Sequence, residues 1–272
     1  MGAPPAVGTL GAMPSTGTYV FDQRRHDERD RLAAMEDLWD AGTKRAIEAL
    51  GIAPGWRCLE VGAGAGSIAH WMADVVGPAG EVVATDISTI HLDGFERPGL
   101  EVREHDILND ALPEGRFDLV HARLLVEHLG TRALERMVPA LAPGGWLLVE
   151  DLDWNGAAGH PDGERVAVAL DALAGFMTRS GYDPHMGRRL VHELERVGLD
   201  DIGAEGRLGV YRGGEPAADF LGLSLESVGP ATLEAGLVTR EQLERGLASL
   251  GDPGTVFLSA PMIAARGRRP SP

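Results

Sequence analysis

Apolar and polar positions in this 272-residue chain change period several times, and each change marks an element. Over Asp27 to Leu50 the apolar and small positions Leu32, Met35, Trp39, Thr43, Ile47 and Leu50 recur at three- and four-residue spacing, one face of a helix. Gly51 stops it and Pro54-Gly55 turns the chain. A short apolar run, Cys58 to Val61, then reads as a buried strand. It is followed by Gly62, Gly64 and Gly66 on alternate positions and by a helix over Ser67 to Val76.

The alternation repeats downstream. Glu81 to Asp86 is a second strand with an acid at its C-terminal end. Leu100 to Asp106 alternates apolar with polar, as expected of a third strand nearer an edge. Phe117 to Ala122 is a fourth strand, Thr131 to Leu141 a helix ended sharply by Pro143-Gly144-Gly145, and Trp146 to Glu150 a fifth, buried strand. Strands alternating with helices at these intervals build a parallel sheet with helices on both faces. Beyond it, helices are expected over Asp162 to Ser180, Gly187 to Val197, Pro216 to Val228 and Thr239 to Leu250, the last opened by the capping-box spacing Thr239 to Gln242. Ile202 to Tyr211 reads as a strand, and Thr255 to Leu258 begins a last one that continues over Met262 to Ala265.

Composition narrows the function. There are 41 acidic and 25 basic residues, a formal net charge of -16, which argues against a nucleic-acid surface. The Arg266 to Arg269 region is the one local basic patch and reads as a solvated tail. Cys58 is the only cysteine, so neither an internal disulfide nor a cysteine metal cluster is available, and its place in a strand makes it a core residue. The apolar runs fall short of a membrane span and the N-terminus lacks a signal-peptide pattern, so a cytoplasmic protein with no membrane partner is expected. Residues 1–18, rich in Gly, Pro, Ala and Thr, are expected to be a flexible segment before a single domain over 19–272.

The stretch Glu60-Val61-Gly62-Ala63-Gly64-Ala65-Gly66-Ser67 carries the chemistry. Strand, glycine turn and helix place backbone N–H groups at the C-terminal edge of a sheet, where nucleotide-like ligands bind. In a dinucleotide fingerprint the third glycine would fall at Ser67, and Glu60 would repel a pyrophosphate; beside a sulfonium and an ammonium a carboxylate is favourable. With Asp86, Asp106-Ile107, the run Phe117 to Arg123 and Leu141-x-Pro143-Gly144-Gly145-x-Leu147, the chain resembles the class I S-adenosylmethionine-dependent methyltransferases from Arg57 to about Asp153. Leu124-Leu125-Val126-Glu127-His128-Leu129 resembles the small-molecule branch that includes ubiquinone and menaquinone methyltransferases and many enzymes of secondary metabolism.

The resemblance implies a doubly wound α/β fold with a seven-stranded, mostly parallel sheet whose seventh strand is antiparallel and lies between the fifth and sixth. Residues 19–50 form a helical lid, 51–155 the cofactor-binding core, and 156–272 the substrate-side helices and last strands. It implies S-adenosylmethionine as cofactor, held by Glu60, Gly62, Ala63, Gly64 and Gly66. Asp86 would take the ribose hydroxyls, Ile87 an adenine face, and Asp106 and Ile107 the rest of the base. Ala122 and Arg123 would lie beside the methionine part. A small-molecule acceptor would meet Trp39, Asp151, Asp153 and Trp154. Two residues are catalytic candidates: Tyr19, by cation–π contact, and His128, either a general base or a buried orienter. Methyl transfer needs alignment more than acid–base chemistry, so a conspicuous catalytic pair is not required. His121 and His128 lack a third ligand at metal spacing, so no metal is predicted. A fold kept only for binding or cyclisation, and a nicotinamide oxidoreductase, are the rival readings. A monomer and a homodimer are both compatible with the chain.

Overall fold

The computed structural model describes residues 20–92, 94, 97–154 and 164–271. Seven strands form the main sheet: β1 (Arg57–Val61), β2 (Glu81–Asp86), β3 (Leu100–Glu104), β4 (Phe117–Arg123), β5 (Leu141–Leu152), β6 (Asp200–Arg207) and, last in sequence, β9 (Met262–Arg268). Their order is β3-β2-β1-β4-β5-β9-β6. All pairs from β3 to β5 are parallel, and β9 runs antiparallel between β5 and β6. This is the doubly wound arrangement the resemblance implied. The order reverses between β1 and β4, so a crevice opens at their C-terminal ends, where such sheets bind ligands.

Burial follows strand position. In β1, β2 and β4 nearly every residue is buried, as strands covered on both faces require. Edge strand β3 buries Leu100 and leaves Glu101, Arg103 and Glu104 exposed. One face packs on α1 (Glu28–Ala49) and α2 (Ser67–Val76) through Ile47, Ile68 and Met72. The other packs on α3 (Val126–Leu129), α4 (Arg132–Met137) and α6 (Met186–Arg196) through Val126, Met137 and Leu190. A third cluster sits over the C-terminal edge of the sheet, where the far side of α1 meets α5 (Glu164–Arg179), α7 (Pro216–Glu234) and α8 (Arg240–Gly251).

Several elements differ from the sequence reading. The run Ile202 to Tyr211 is not one strand: it breaks after Arg207, and β7 (Val210–Arg212) pairs with β8 (Val256–Leu258) in a separate two-stranded sheet. The seventh strand of the main sheet is therefore β9, with Leu258 and Met262 in different sheets. Helix α4 ends at Met137 because Pro139 lacks an N–H, and Val138–Ala140 tightens into a 3-10 turn. Pro143-Gly144-Gly145 lies within β5, where the register to β4 shifts between Phe117 and Leu119. Gly145 suits this irregularity, since a Cβ there would lie 2.7 Å from the Phe117 carbonyl. Helix α7 runs through Pro230 to Glu234 instead of stopping at Val228. Buried Val228, Gly229 and Thr232 carry it across the lost hydrogen bond. The capping box at Thr239 forms with both bonds present.

Candidate functional site

A cavity of about 460 Å³ occupies the switch-point crevice, a size ordinary for small-molecule sites. At one end lies the glycine turn. Gly62 and Gly64 have φ of 73° and 57°, values an L side chain resists, and Gly66 (φ 87°) precedes the first residue of α2. The Gly62 and Ala63 N–H groups donate to the Thr85 carbonyl at 2.8 and 2.9 Å, tying the turn to β2. The Gly64 N–H donates to Asp86 Oδ2 at 2.9 Å. Asp86 is buried at the end of β2, where its Oδ1 accepts from the Ser88 N–H at 3.1 Å and Gln23 Nε2 at 3.4 Å. Burial raises its pKa against these donors, and no cation is among the partners that offset it. The Ser67 N–H, first in α2, donates to Glu36 Oε1 at 3.2 Å. A carboxylate from α1 thus already stands at the N-terminus where a phosphate would rest.

The other end of the cavity is mostly apolar, walled by Phe21, Leu152, Leu173, Met177 and Phe220. Its polar groups come from the segment after β4 (Glu127, His128), from α1 (Glu28, Arg31), and from Tyr182 and Ser224. Leu124 enters that segment with φ of 54°, in the left-handed region, and its N–H donates to the Glu150 carbonyl at 2.7 Å. Such strain in a bulky residue is characteristic of sites where geometry is imposed. Glu127 and His128 follow on α3. Glu127 Oε2 accepts from the Leu152 N–H at 2.9 Å, the Tyr182 hydroxyl bonds the same carboxyl, and Trp154 Nε1 donates to Tyr182. Burial pushes Glu127 up to about 8 despite these bonds. Burial, with the Arg31 charge, pushes His128 down to about 3, so its imidazole is neutral near pH 7. Arg31 itself is buried, bonded through two nitrogens to Glu28 at 2.9 and 2.7 Å, with its guanidinium 4.1 Å from the Phe21 ring centre.

Beneath the turn runs a buried charge network. His121 Nδ1 lies 2.7 Å from Glu60 Oε2, and His121 Nε2 lies 3.4 Å from Glu150 Oε2. Glu150 also accepts from Thr43 Oγ1 and Arg207. Arg123 donates to Thr43 Oγ1 at 2.9 Å and to Asp40 at 3.0 Å. Burial disfavours charge on both His121 and Glu150, yet their partners win: Glu60 and Glu150 hold His121 at about 9, and His121, Arg207 and Arg123 hold Glu150 at about 2. Asp40 and Thr43 thereby clamp α1 to β4 and β5.

Comparison with known proteins agrees with this geometry. A family model described as a methyltransferase domain matches residues 26–202, more than half of the chain. The chain belongs to the methyltransferase domain family. "Methyltransferase str2" of Strobilurus tenacellus is 34% identical over 143 residues, covering 51% of this chain and 51% of that protein. The ubiquinone/menaquinone biosynthesis C-methyltransferase UbiE of Ectopseudomonas mendocina (strain ymp) is 31% identical over 139 residues, covering 46% of this chain and 54% of that one. The chain thus spans about half the length of these curated relatives. The geranyl diphosphate C-methyltransferase of Streptomyces coelicolor A3(2), solved with Mg2+, geranyl diphosphate and S-adenosyl-L-homocysteine, shares the fold at 14% identity and a TM-score of 0.53, over 94% of this chain and 90% of that one.

Within this methyltransferase domain the cavity gathers many of the residues singled out from sequence: Gly62, Gly64, Asp86, Ile87, Asp106, Ile107, Arg123, His128 and Trp154 all line it. Ile87 is 61% exposed, an apolar side chain presented at the mouth. Asp106 also caps its own turn, accepting from the Leu108 N–H at 2.9 Å and from Asn109 Nδ2 at 2.7 Å. Other residues are elsewhere. Glu60 is not part of the wall; its carboxylate is engaged by His121, which stands opposite it in the β1–β4 register. Ala63 and Gly66 shape the turn without lining the cavity, and Ala122 is buried in β4. Trp39 packs edge-on against Phe220 behind the wall, ring centres 4.9 Å apart. Asp151 is buried under the Leu125 N–H, and Asp153 pairs with Arg188 at 2.7 and 2.8 Å. Tyr19 lies outside the described residues. Sequence reasoning passed over Gln23, His105, Glu127, Tyr182 and Ser224, all of which line the cavity. Phe220 and Ser224, one helical turn apart, carried the one local signal. Among the described residues no group of three or more His, Cys, Asp and Glu is arranged to hold a metal ion, and no helix is long and apolar enough to cross a membrane.

Proposed function

We propose that this chain is an S-adenosylmethionine-dependent methyltransferase acting on a small, largely apolar acceptor. One observation carries the reading: the glycine turn and the buried Asp86 open onto the same cavity as a largely apolar chamber that Glu127 and His128 also line. Asp86, with a lone-pair-rich carboxyl and no cation to satisfy it, suits a pair of ribose hydroxyls. Gly62 and Gly64 leave the backbone open to a close ligand, and Ile87 offers an apolar face to a base. The Glu36 carboxylate on the α2 N-terminus disfavours a pyrophosphate and so weighs against a nicotinamide dinucleotide. When bound, S-adenosylmethionine supplies an electrophilic methyl group on a sulfonium.

The chain's own residues do the rest. Phe21, Leu173, Met177 and Phe220 desolvate the acceptor and orient its body. Glu127 is the group suited to take a proton from an acceptor O–H or N–H, since its pKa of about 8 lies near working pH. His128, held neutral, serves as a hydrogen-bonding orienter beside Glu127. The likeness to a ubiquinone/menaquinone biosynthesis C-methyltransferase supports an apolar acceptor. The test is incubation of the purified chain with methyl-tritiated S-adenosylmethionine and a panel of phenols, quinols, fatty acids and polar amines. Acceptor-dependent label transfer is expected among the apolar members; transfer only to the polar amines would refute the assignment of the chamber.

A further inference from the structure

Three buried hydrogen-bonding atoms at one end of the cavity have no partner within the chain: Gln23 Oε1 and both ring nitrogens of His105. Both side chains line the wall shared with Asp86, Ile87, Asp106 and Ile107. Both residues are tied to Asp86. Gln23 precedes α1 and points Nε2 at Asp86 Oδ1. His105 follows β3, and its own N–H donates to the Asp86 carbonyl at 2.8 Å. The Gln23 backbone is itself held, its carbonyl 2.9 Å from His91 Nε2, while Arg29 reaches the His91 carbonyl at 3.3 Å. The unpartnered atoms therefore sit on anchored backbone. A buried polar atom left unsatisfied costs about 1–3 kcal/mol, and native proteins keep such atoms where a ligand completes them.

The donor and acceptor types say what would complete them. Asp86 and Gln23 Oε1 are two acceptors side by side, matched by the two O–H donors of a vicinal diol. A neutral imidazole offers one donor and one acceptor, matched by a heterocycle edge that carries both. A nucleoside has that combination. We infer that Gln23 and His105 are nucleoside-binding residues of this cavity, Gln23 Oε1 accepting from a ribose hydroxyl beside Asp86 and His105 hydrogen-bonding the base. The inference rests on the proposed S-adenosylmethionine reading. Gln23 lies before residue 26, where the family match begins, so this contact is a property of this chain's own N-terminal segment.

The test is calorimetric titration of S-adenosylhomocysteine, and of 5′-methylthioadenosine, which lacks the amino-acid end, into wild type, Gln23→Leu and His105→Phe, with ligand-free melting temperatures for each. Each substitution should raise Kd for both ligands about tenfold, the loss of one good hydrogen bond. The ligand-free melting temperature should stay level or rise for His105→Phe, because an unsatisfied polar group is replaced by an apolar one, and should fall by no more than ~3 °C for Gln23→Leu, which also gives up the 3.4 Å bond to Asp86. A merely structural role predicts the reverse, a lower melting temperature with Kd unchanged, and that result overturns the inference. If either variant fails to fold, Gln23→Met and His105→Leu take its place under the same criteria. Wild type that binds S-adenosylhomocysteine while the variants bind equally well refutes this inference alone. Wild type that binds neither ligand refutes the cofactor reading with it.

Discussion

Replacing Glu60 with Gln tests whether this acid serves the fold or the cofactor. Glu60, His121 and Glu150 are all buried, and Glu60 stands 2.7 Å from the His121 ring. Burial alone would lower the imidazole pKa, but the two carboxylates raise it to about 9 from an ordinary 6.5. The folded state therefore binds the His121 proton more tightly than the unfolded chain does. The resulting stability is fully present below about pH 6.5 and is lost as pH rises through about 9. The gap between the two values is worth about 3 kcal/mol at 1.36 kcal/mol per pH unit. Glu60→Gln keeps the shape and removes the charge, while Glu150 remains at 3.4 Å. Urea unfolding by linear extrapolation should show the variant about 2 kcal/mol less stable than wild type at pH 6. The difference should shrink below about 1 kcal/mol at pH 9.5, as His121 loses its proton in both proteins. Glu127 also titrates in this range, but its contribution is common to both proteins and cancels in the difference. Because Glu60 makes no part of the cavity wall, Kd for S-adenosylhomocysteine at pH 7 should change less than about threefold. A stability difference independent of pH, or a large loss of affinity without destabilisation, would refute the assignment of Glu60 to the buried network.

Other perturbations address the remaining parts of the site. Glu127→Gln should lower kcat/KM about 100-fold for an O–H or N–H acceptor and abolish the limb of the pH–rate profile that rises through about 8 in wild type; an unchanged profile would exclude Glu127 as base. Gly62→Ala meets both a φ of 73° and Leu125 Cδ1 at 3.0 Å, so it should cost about 1–3 kcal/mol by chemical denaturation and weaken S-adenosylhomocysteine binding at least about tenfold. Thr43→Val takes a donor from Glu150 and an acceptor from Arg123, and should destabilise by about 1–3 kcal/mol in urea. Its amide exchange should rise first in the part of α1 around Asp40 and Thr43, and unchanged exchange there would refute the clamp.

The legible parts of the molecule are those where local pattern and tertiary structure agree. Apolar runs on β1, β2, β4 and β5 read correctly because central strands are buried on both faces. The strand, glycine turn and helix, and the place of Asp86 at the end of β2, are legible because they lie adjacent in sequence or at a strand terminus. The break after Arg207 was not legible: Leu208, Gly209 and Val210 continue an alternating pattern, and only β8, about fifty residues on, draws the second half into another sheet. Glu60 illustrates the same limit at the site. An acid in an apolar strand announces a partner, but that partner is His121, 61 positions away on β4, and nothing local identifies it. Gln23, His105 and Glu127 look in sequence like ordinary surface residues. Their importance comes from burial and from which atoms lack or share partners, properties of the assembled fold. Tyr182 illustrates this too, since its link to Glu127 depends on α5 and the loop before α6 closing over α3.

The central claim is that Asp86 and the glycine turn hold S-adenosylmethionine. Isothermal titration of S-adenosylhomocysteine into wild type and Asp86→Asn tests it most directly, with NADH titrated into wild type as the control. Saturable binding at one site per chain is predicted for wild type. Asp86→Asn should raise Kd at least about tenfold through loss of charge-assisted bonds to the ribose, and NADH should give no binding heat. NADH binding without S-adenosylhomocysteine binding, or an Asp86→Asn protein with wild-type affinity, would contradict the account.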